Sequence, residues 1–448
     1  MTSFSEKLQN LGRSGALLLM AGGLALALPH TTAAEENEAL DVNDESAGTT
    51  EIRRGLPTGQ QDGLTREQRY YQSVISKVEP DLEGHKDRLD LYIDLYKREL
   101  IIDTNLFATN LTAEWDEGAG VVRLSGYVNY SQNHEALLLL FHYLGFEEVI
   151  DEVEVLPSEA LGAEKFALVT AKTAFTYGAP EAPRETMTEA LMGDPVFLLR
   201  DAGNGYYLGK SAEGYVGYID GANIVRVDAD RFTKYQQGEH AYFLRDYEAG
   251  DVVIPVGARL KVAGERTGAE GLVFQHGDGS QETAEHSEID SVLVELPDGN
   301  EVEVSSDAVI VRKSEPHPAA LEALKIAESM YGSRYVWGGK STDGVDCSGL
   351  VQTSFRAQGI NMPRDSYMQS YVGALSAERH YMEGMRAGDL LFFLGNNGRI
   401  THVAMYKGDG IYVEASRGRV RLSSFNPEDE NYDESRHHSF AFAKRPLE

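Results

Sequence analysis

The chain has 448 residues, room for about three domains of ordinary size, and 42% of them are hydrophobic, which is ample for packed cores. Its 71 acidic and 41 basic residues leave a net charge of −30. With no basic surplus to neutralise phosphates, nucleic acid and anionic lipid are excluded as main partners.

At the N-terminus Lys7 and Arg13 precede an apolar run over residues 16–28, followed by Pro29 and Thr32-Ala33-Ala34. This is the layout of a secretory signal over residues 1–34, with a small-residue cleavage site near Ala34. The run is short for a bilayer span, and no cysteine near the site offers a lipid attachment point. The expectation is an exported protein, periplasmic or extracellular, with no stable membrane anchor. Residues 35–68 are acidic and lack periodicity, which reads as a disordered tether.

Residues 69–160 open with a helical stretch interrupted near Pro80. A strand then carries Val121, Leu124 and Val128, a helix covers 135–144 and a second strand covers 149–155, so this part is an α+β module. Over 166–227 short β-type runs alternate with turn residues. Residues 250–312 repeat that logic, with Pro297-Asp298-Gly299-Asn300 as a hairpin turn. Two small β-barrels in tandem are expected. Pro316 and Pro318 mark a linker before the last region, 319–448.

Cys347 is the chain's single cysteine and rules out an internal disulfide. Gly338, Gly339 and Gly344 precede it. Leu350, Val351, Phe355 and Ala357 follow at helical spacing. The thiol is therefore expected at a helix N-terminus, where free N–H groups and the helix dipole favour a thiolate. A free thiol taken alone is more often simply packed in a core. In an exported chain, however, an unpaired cysteine is a liability unless it does chemistry. Downstream, residues 390–394, 402–406 and 411–415 read as three antiparallel strands. His402 opens the second. Glu414, in the third, is brought beside it if the chain reverses over 407–410. Thiol, imidazole and an orienting polar group in this order are what covalent acyl transfer requires. No His-Glu-x-x-His helix, Gly-x-Ser-x-Gly elbow or phosphate-binding loop occurs. His437-His438, read as a strand pair facing opposite ways, is not taken as a metal site. No metal or cofactor is expected.

The region from 319 onward resembles the NlpC/p60 family of papain-like cysteine peptidases. The resemblance rests on Tyr335-x-Trp337-Gly338-Gly339, Asp346-Cys347-Ser348-Gly349-Leu350, Pro363-Arg364, Gly388-Asp389-Leu390-x-Phe392-Phe393 and His402-Val403-x-x-Tyr406. It implies a helix bearing the cysteine packed on an antiparallel sheet. It also implies cleavage of peptidoglycan stem peptides, typically between γ-D-glutamate and diaminopimelate, with Cys347 as nucleophile and His402 as base. Tyr335 would line the site near the oxyanion, and Asp346 and Ser348 would flank the cleft. Arg364-Asp365-Ser366 resembles the Arg-Asp-Ala segment of members carrying SH3 domains, whose acidic residue helps recognise a free amine on the substrate. Glu414 stands where the family usually has His, sometimes Asn or Gln. A carboxylate can fill that role by accepting the imidazole N–H.

Upstream, Leu191-x-Gly193-Asp194-x-Val196, Tyr206-Tyr207 and Gly214-Tyr215-Val216-Gly217-Tyr218 resemble a bacterial SH3 domain, with Tyr218 where that family usually has Trp. The strand–helix–strand pattern of 121–155 resembles a BON-type domain, which implies attachment to envelope components. The chain is thus expected to be an exported α+β enzyme acting on peptidoglycan or muropeptides, with envelope-protein partners for the upstream modules. The alternative is an envelope-binding scaffold with a weakly active or inactive peptidase domain.

Overall fold

The computed structural model describes residues 63–101, 103–266 and 291–447. The expected signal segment, the tether up to residue 62 and residues 267–290 of the second expected barrel lie outside these. Among the described residues no helix is long and apolar enough to cross a membrane. The fold is mixed α+β and divides into two compact units. Of the described residues, the first joins those up to Leu156 with Pro318–Val372 and Ala387–Ala443; the second joins those within Pro157–His317 with Gly373–Arg386 and those from Lys444 onward.

In the first unit, α1 (Arg66–Ile75) starts at a capping box in which Thr65 and Gln68 satisfy each other's backbone N–H. Helix α2 (Leu89–Tyr96) buries Tyr92, Ile93, Leu95 and Tyr96 and runs on into a π-turn, Lys97–Ile101. Strand β1 (Thr109–Asp116) pairs antiparallel with β2 (Val121–Val128). Helix α3 (Ser131–Tyr143) then crosses to β3 (Val149–Val155), which lies parallel to β2, as a parallel pair joined by a crossover requires. The helix begins four residues before the apolar pattern suggests, because Ser131, Gln132 and Asn133 form its first turn. Gln132 and Asn133 are buried. The Asn133 side chain donates to the Gly398 carbonyl at 2.8 Å and Gln132 to the His438 carbonyl at 2.7 Å.

The rest of this unit sets helices against one sheet. Helix α4 (Pro318–Ser329) packs on α5 (Cys347–Arg356), and α5 packs against the sheet; the short α6 (Ser366–Gln369) follows. The strands are β4 (Leu390–Leu394), β5 (Ile400–Gly408), β6 (Ile411–Ser416) and β7 (Arg419–Ser424). After α7 (Glu434–Ser439) comes β8 (Phe440–Arg445), which inserts beside β4 to give the order β8-β4-β5-β6-β7. Every residue of β4, Leu-Leu-Phe-Phe-Leu, is buried, the mark of a strand covered on both faces. His437 and His438 lie in α7, not in a strand; Asp433 caps that helix by accepting the Arg436 N–H and ends the preceding extended chain.

The second unit holds a seven-stranded sheet formed from residues 166–227 and a five-stranded sheet formed from residues 239–313. The first encloses Ala167, Val169, Leu198 and Ile219. The second encloses Ala241, Leu260, Val294 and Val304. Gly373–Arg386 belongs here although it lies within the last 130 residues. The Leu375 N–H donates to the Ala212 carbonyl, and Tyr381 packs among Phe166, Phe197 and Phe232. Lys210 and Glu378 form an ion pair at 2.7 Å with both side chains almost wholly buried.

Removing one partner of such a pair strands the other charge. Lys210→Ala is expected to lower unfolding free energy in urea by about 3–5 kcal/mol, and Lys210→Met with Glu378→Leu by much less. A single-variant loss below about 1 kcal/mol would show that water reaches the pair.

Candidate active site

Cys347 is the first residue of α5 and is buried, with 5% of its surface exposed. Asp346, extended and likewise buried, caps the helix by accepting the Gly349 N–H at 2.7 Å. Because the cap takes the third N–H of the turn, those of Cys347 and Ser348 have no acceptor within the helix. The same carboxylate accepts the Gly338 N–H at 2.7 Å and both terminal nitrogens of Arg364. Arg364 also donates to the Ser348 hydroxyl at 2.8 Å. The glycines make this packing feasible: a Cβ on Gly349 would lie 2.1 Å from the Gly339 carbonyl oxygen, and one on Gly339 would lie 2.3 Å from that of Gly344. The glycine-rich approach therefore lets three backbone segments touch at the cysteine.

Strand β5 carries His402, and the chain reverses between Gly408 and Ile411. Met405 pairs with Val413, so His402 and Glu414 are diagonal neighbours on one face. Both are fully buried, and the His402 Nε2 lies 2.7 Å from Glu414 Oε2. The Glu414 carboxylate also accepts the Ser423 hydroxyl on Oε1 at 2.6 Å and the Arg436 Nε–H on Oε2 at 3.1 Å. Burial by itself raises the affinity of this carboxyl for a proton. The Arg436 charge, the His402 ring and the Ser423 hydroxyl overcome that and hold it far below the usual carboxylate range. An ionised carboxylate only accepts, which assigns the ring proton to Nε2 and leaves Nδ1 as the basic nitrogen.

Of the expected substrate residues, Asp346, Ser348 and Arg364 form one hydrogen-bonded cluster at the start of α5. Tyr335 is half-buried and its N–H donates to the Gly418 carbonyl at 2.8 Å. Asp365 is exposed and Ser366 half-buried at the start of α6, and Asp365 makes no side-chain cap. Three contributors were not anticipated. Gln369 is fully buried and joins the Ser348 and Pro363 carbonyls; Ser423 and Arg436 hold Glu414. Ser423 was within reach of the alternation of β7, whereas nothing local marks Gln369 or Arg436. Elsewhere, Glu79, Asp81 and His85 place ligand-type atoms within 4.8 Å of one another, but Glu79 is already held by Arg88 and Tyr92.

The model of the NlpC/P60 family matches residues 332–438. The chain is 36% identical over 132 residues to a gamma-D-glutamyl-L-lysine dipeptidyl-peptidase of Bacillus cereus, covering 28% of this chain and 38% of that protein. It is 28% identical over 274 residues to dipeptidyl-peptidase 6 of Lysinibacillus sphaericus, covering 59% of this chain and 94% of that one. It is 43% identical over 98 residues to the murein DD-endopeptidase MepS/murein LD-carboxypeptidase of Escherichia coli, covering 21% and 49%. The chain thus spans well under half of the Bacillus protein and about half of the Escherichia one.

Two outcomes follow from the site's bonding. Asp346→Ala removes the cap and leaves the Arg364 charge unpaired, and is expected to cost about 2–4 kcal/mol in chemical unfolding. Because Glu414 ionises more readily folded than unfolded, its stabilisation is complete above the ordinary value of 4.5 and is lost progressively as pH falls below it. The melting temperature of Glu414→Gln should therefore fall less steeply than that of the parent between about pH 4.5 and 3; parallel curves would show that Glu414 is not the titrating group.

Proposed function

Residues 332–438 form an NlpC/P60 family domain, and from that premise we propose that the chain is an exported cysteine endopeptidase hydrolysing peptidoglycan stem peptides. The observation that carries the reading is the buried His402–Glu414 pair on the two adjacent strands against which the Cys347 helix packs. The names of the matched relatives, which are peptidases of γ-glutamyl and murein substrates, support the substrate class. The bond assigned is the amide between γ-D-glutamate and diaminopimelate.

In the proposed reaction His402 Nδ1 takes the Cys347 proton and the sulfur attacks the amide carbonyl. The N–H groups of the first turn of α5 stabilise the oxyanion. Collapse breaks the C–N bond, and the imidazolium returns its proton to the leaving amine. Water then attacks the thioester with His402 as base, releasing the acid and restoring the thiol. Throughout, Glu414 accepts the Nε2 proton and stabilises the imidazolium. Tyr335 is assigned to the wall near the oxyanion. Since Asp346 is engaged with Gly338, Gly349 and Arg364, its part, with Ser348 and Arg364, is to shape the cleft behind the sulfur. Asp365, exposed beside Ser366, is the carboxylate assigned to a free amine on the substrate.

Digestion of whole sacculi and of purified tripeptide and tetrapeptide muropeptides, followed by mass analysis, tests this. The native protein should release fragments ending in γ-D-glutamate, and Cys347→Ala should release none. Cleavage persisting in Cys347→Ala would sink the assignment. Binding to sacculi without cleavage by the native protein would favour an envelope-binding scaffold.

A further inference from the structure

Glu414 is a fully buried carboxylate, and such an anion is costly unless a cation accompanies it. His402 cannot be that cation for as long as it is the neutral base. The groups facing Glu414 come from each neighbouring element. His402 stands on β5 at 2.7 Å and Ser423 on β7 at 2.6 Å. Arg421, also on β7, is 3.9 Å away and equally 3.9 Å from Asp433. Tyr412, on β6, is neutral, its hydroxyl pushed far above the ordinary range by burial and then by the Glu414 charge. Arg436, on α7, is 4% exposed and donates to Glu414 at 3.1 Å. It is therefore the nearest permanent positive charge.

Its placement is over-determined. Asp433 caps α7 through the Arg436 N–H, Gln132 of α3 holds the His438 carbonyl two residues on, and the guanidinium lies over the Phe393 ring at 5.5 Å. His402 also neighbours that ring, with centroids 5.4 Å apart. Arg436 and His402 donate to the same oxygen, Oε2, so they share one acceptor.

We propose that Arg436 is a positioning residue for the reacting pair, acting through Glu414. It keeps the carboxylate ionised before His402 takes a proton, and by sharing Oε2 it limits how strongly Glu414 draws a proton onto the ring. The inference rests on Cys347 and His402 being the reacting pair, but not on any particular substrate.

The test uses the chain's single cysteine. The rate of Cys347 alkylation by iodoacetamide is measured from pH 4 to 10 in the full chain, with Cys347→Ala as blank. With Oε2 no longer shared, Glu414 draws a proton onto the His402 ring more strongly, so Arg436→Gln should move the profile up by about one pH unit. Arg436→Lys, which keeps the charge, should restore the position to within about 0.3 unit. A purely structural role would instead slow alkylation equally at all pH values. A folded Arg436→Gln whose profile overlays the native one overturns the proposal. If Arg436→Gln does not fold, Glu414→Gln decides when compared with Glu414→Gln/Arg436→Gln, which strands no buried charge at this site. The two profiles should coincide, and a further shift in the double variant overturns the claim that Arg436 acts through Glu414. Normal profile shifts without muropeptide cleavage would remove only the substrate assignment. A Cys347 whose alkylation shows no pH dependence would remove the reacting pair itself.

Discussion

The arrangement around His402 depends on one buried negative charge. Glu414 lies on an inner strand of the sheet, out of reach of water, and survives as a carboxylate because Arg436, Ser423 and His402 all donate to it. Three β-strands and one short helix must be in register for those contacts to exist. The charge therefore couples the local chemistry to the packing of the whole sheet, since a carboxylate lacking any of these donors would take up a proton or expel the structure around it.

The cysteine is placed by a different device. Backbone segments around Gly339, Gly344 and Gly349 approach more closely than any side chain permits. Asp346, Arg364 and Gln369 then tie the start of α5 to its surroundings. An imidazole fixed by a buried charge and a thiol fixed by close backbone contact lose little orientational freedom when a substrate arrives, which is the preorganisation that acyl transfer exploits. The N-terminal module joins this scheme physically. Gln132 and Asn133 reach the end of α7 and the turn before β5, so this segment braces the elements that carry Arg436 and His402.

Much of this was legible along the chain. The helix after Cys347, the strands over 390–415 and the reversal between His402 and Glu414 all follow from local periodicity and turn residues, and the structure brings His402 and Glu414 to hydrogen-bonding distance. The first turn of α3 was not legible, because polar residues that satisfy distant carbonyls look like loop. Arg436 was hidden for a related reason: the adjacent His437-His438 pair suggested a strand, and only the Asp433 cap marks the helix start.

Residue types and short-range spacing were enough, by themselves, to nominate a thiol at a helix start, an imidazole at a strand start and a carboxylate one hairpin away, since each depends on neighbours within about a dozen positions. Tertiary structure alone decided which charge balances Glu414, why Asp346 and Arg364 face each other and where residues 373–386 belong. Those outcomes depend on desolvation and on partners that chain folding brings together from 18 to more than 300 positions away, and no local pattern encodes either.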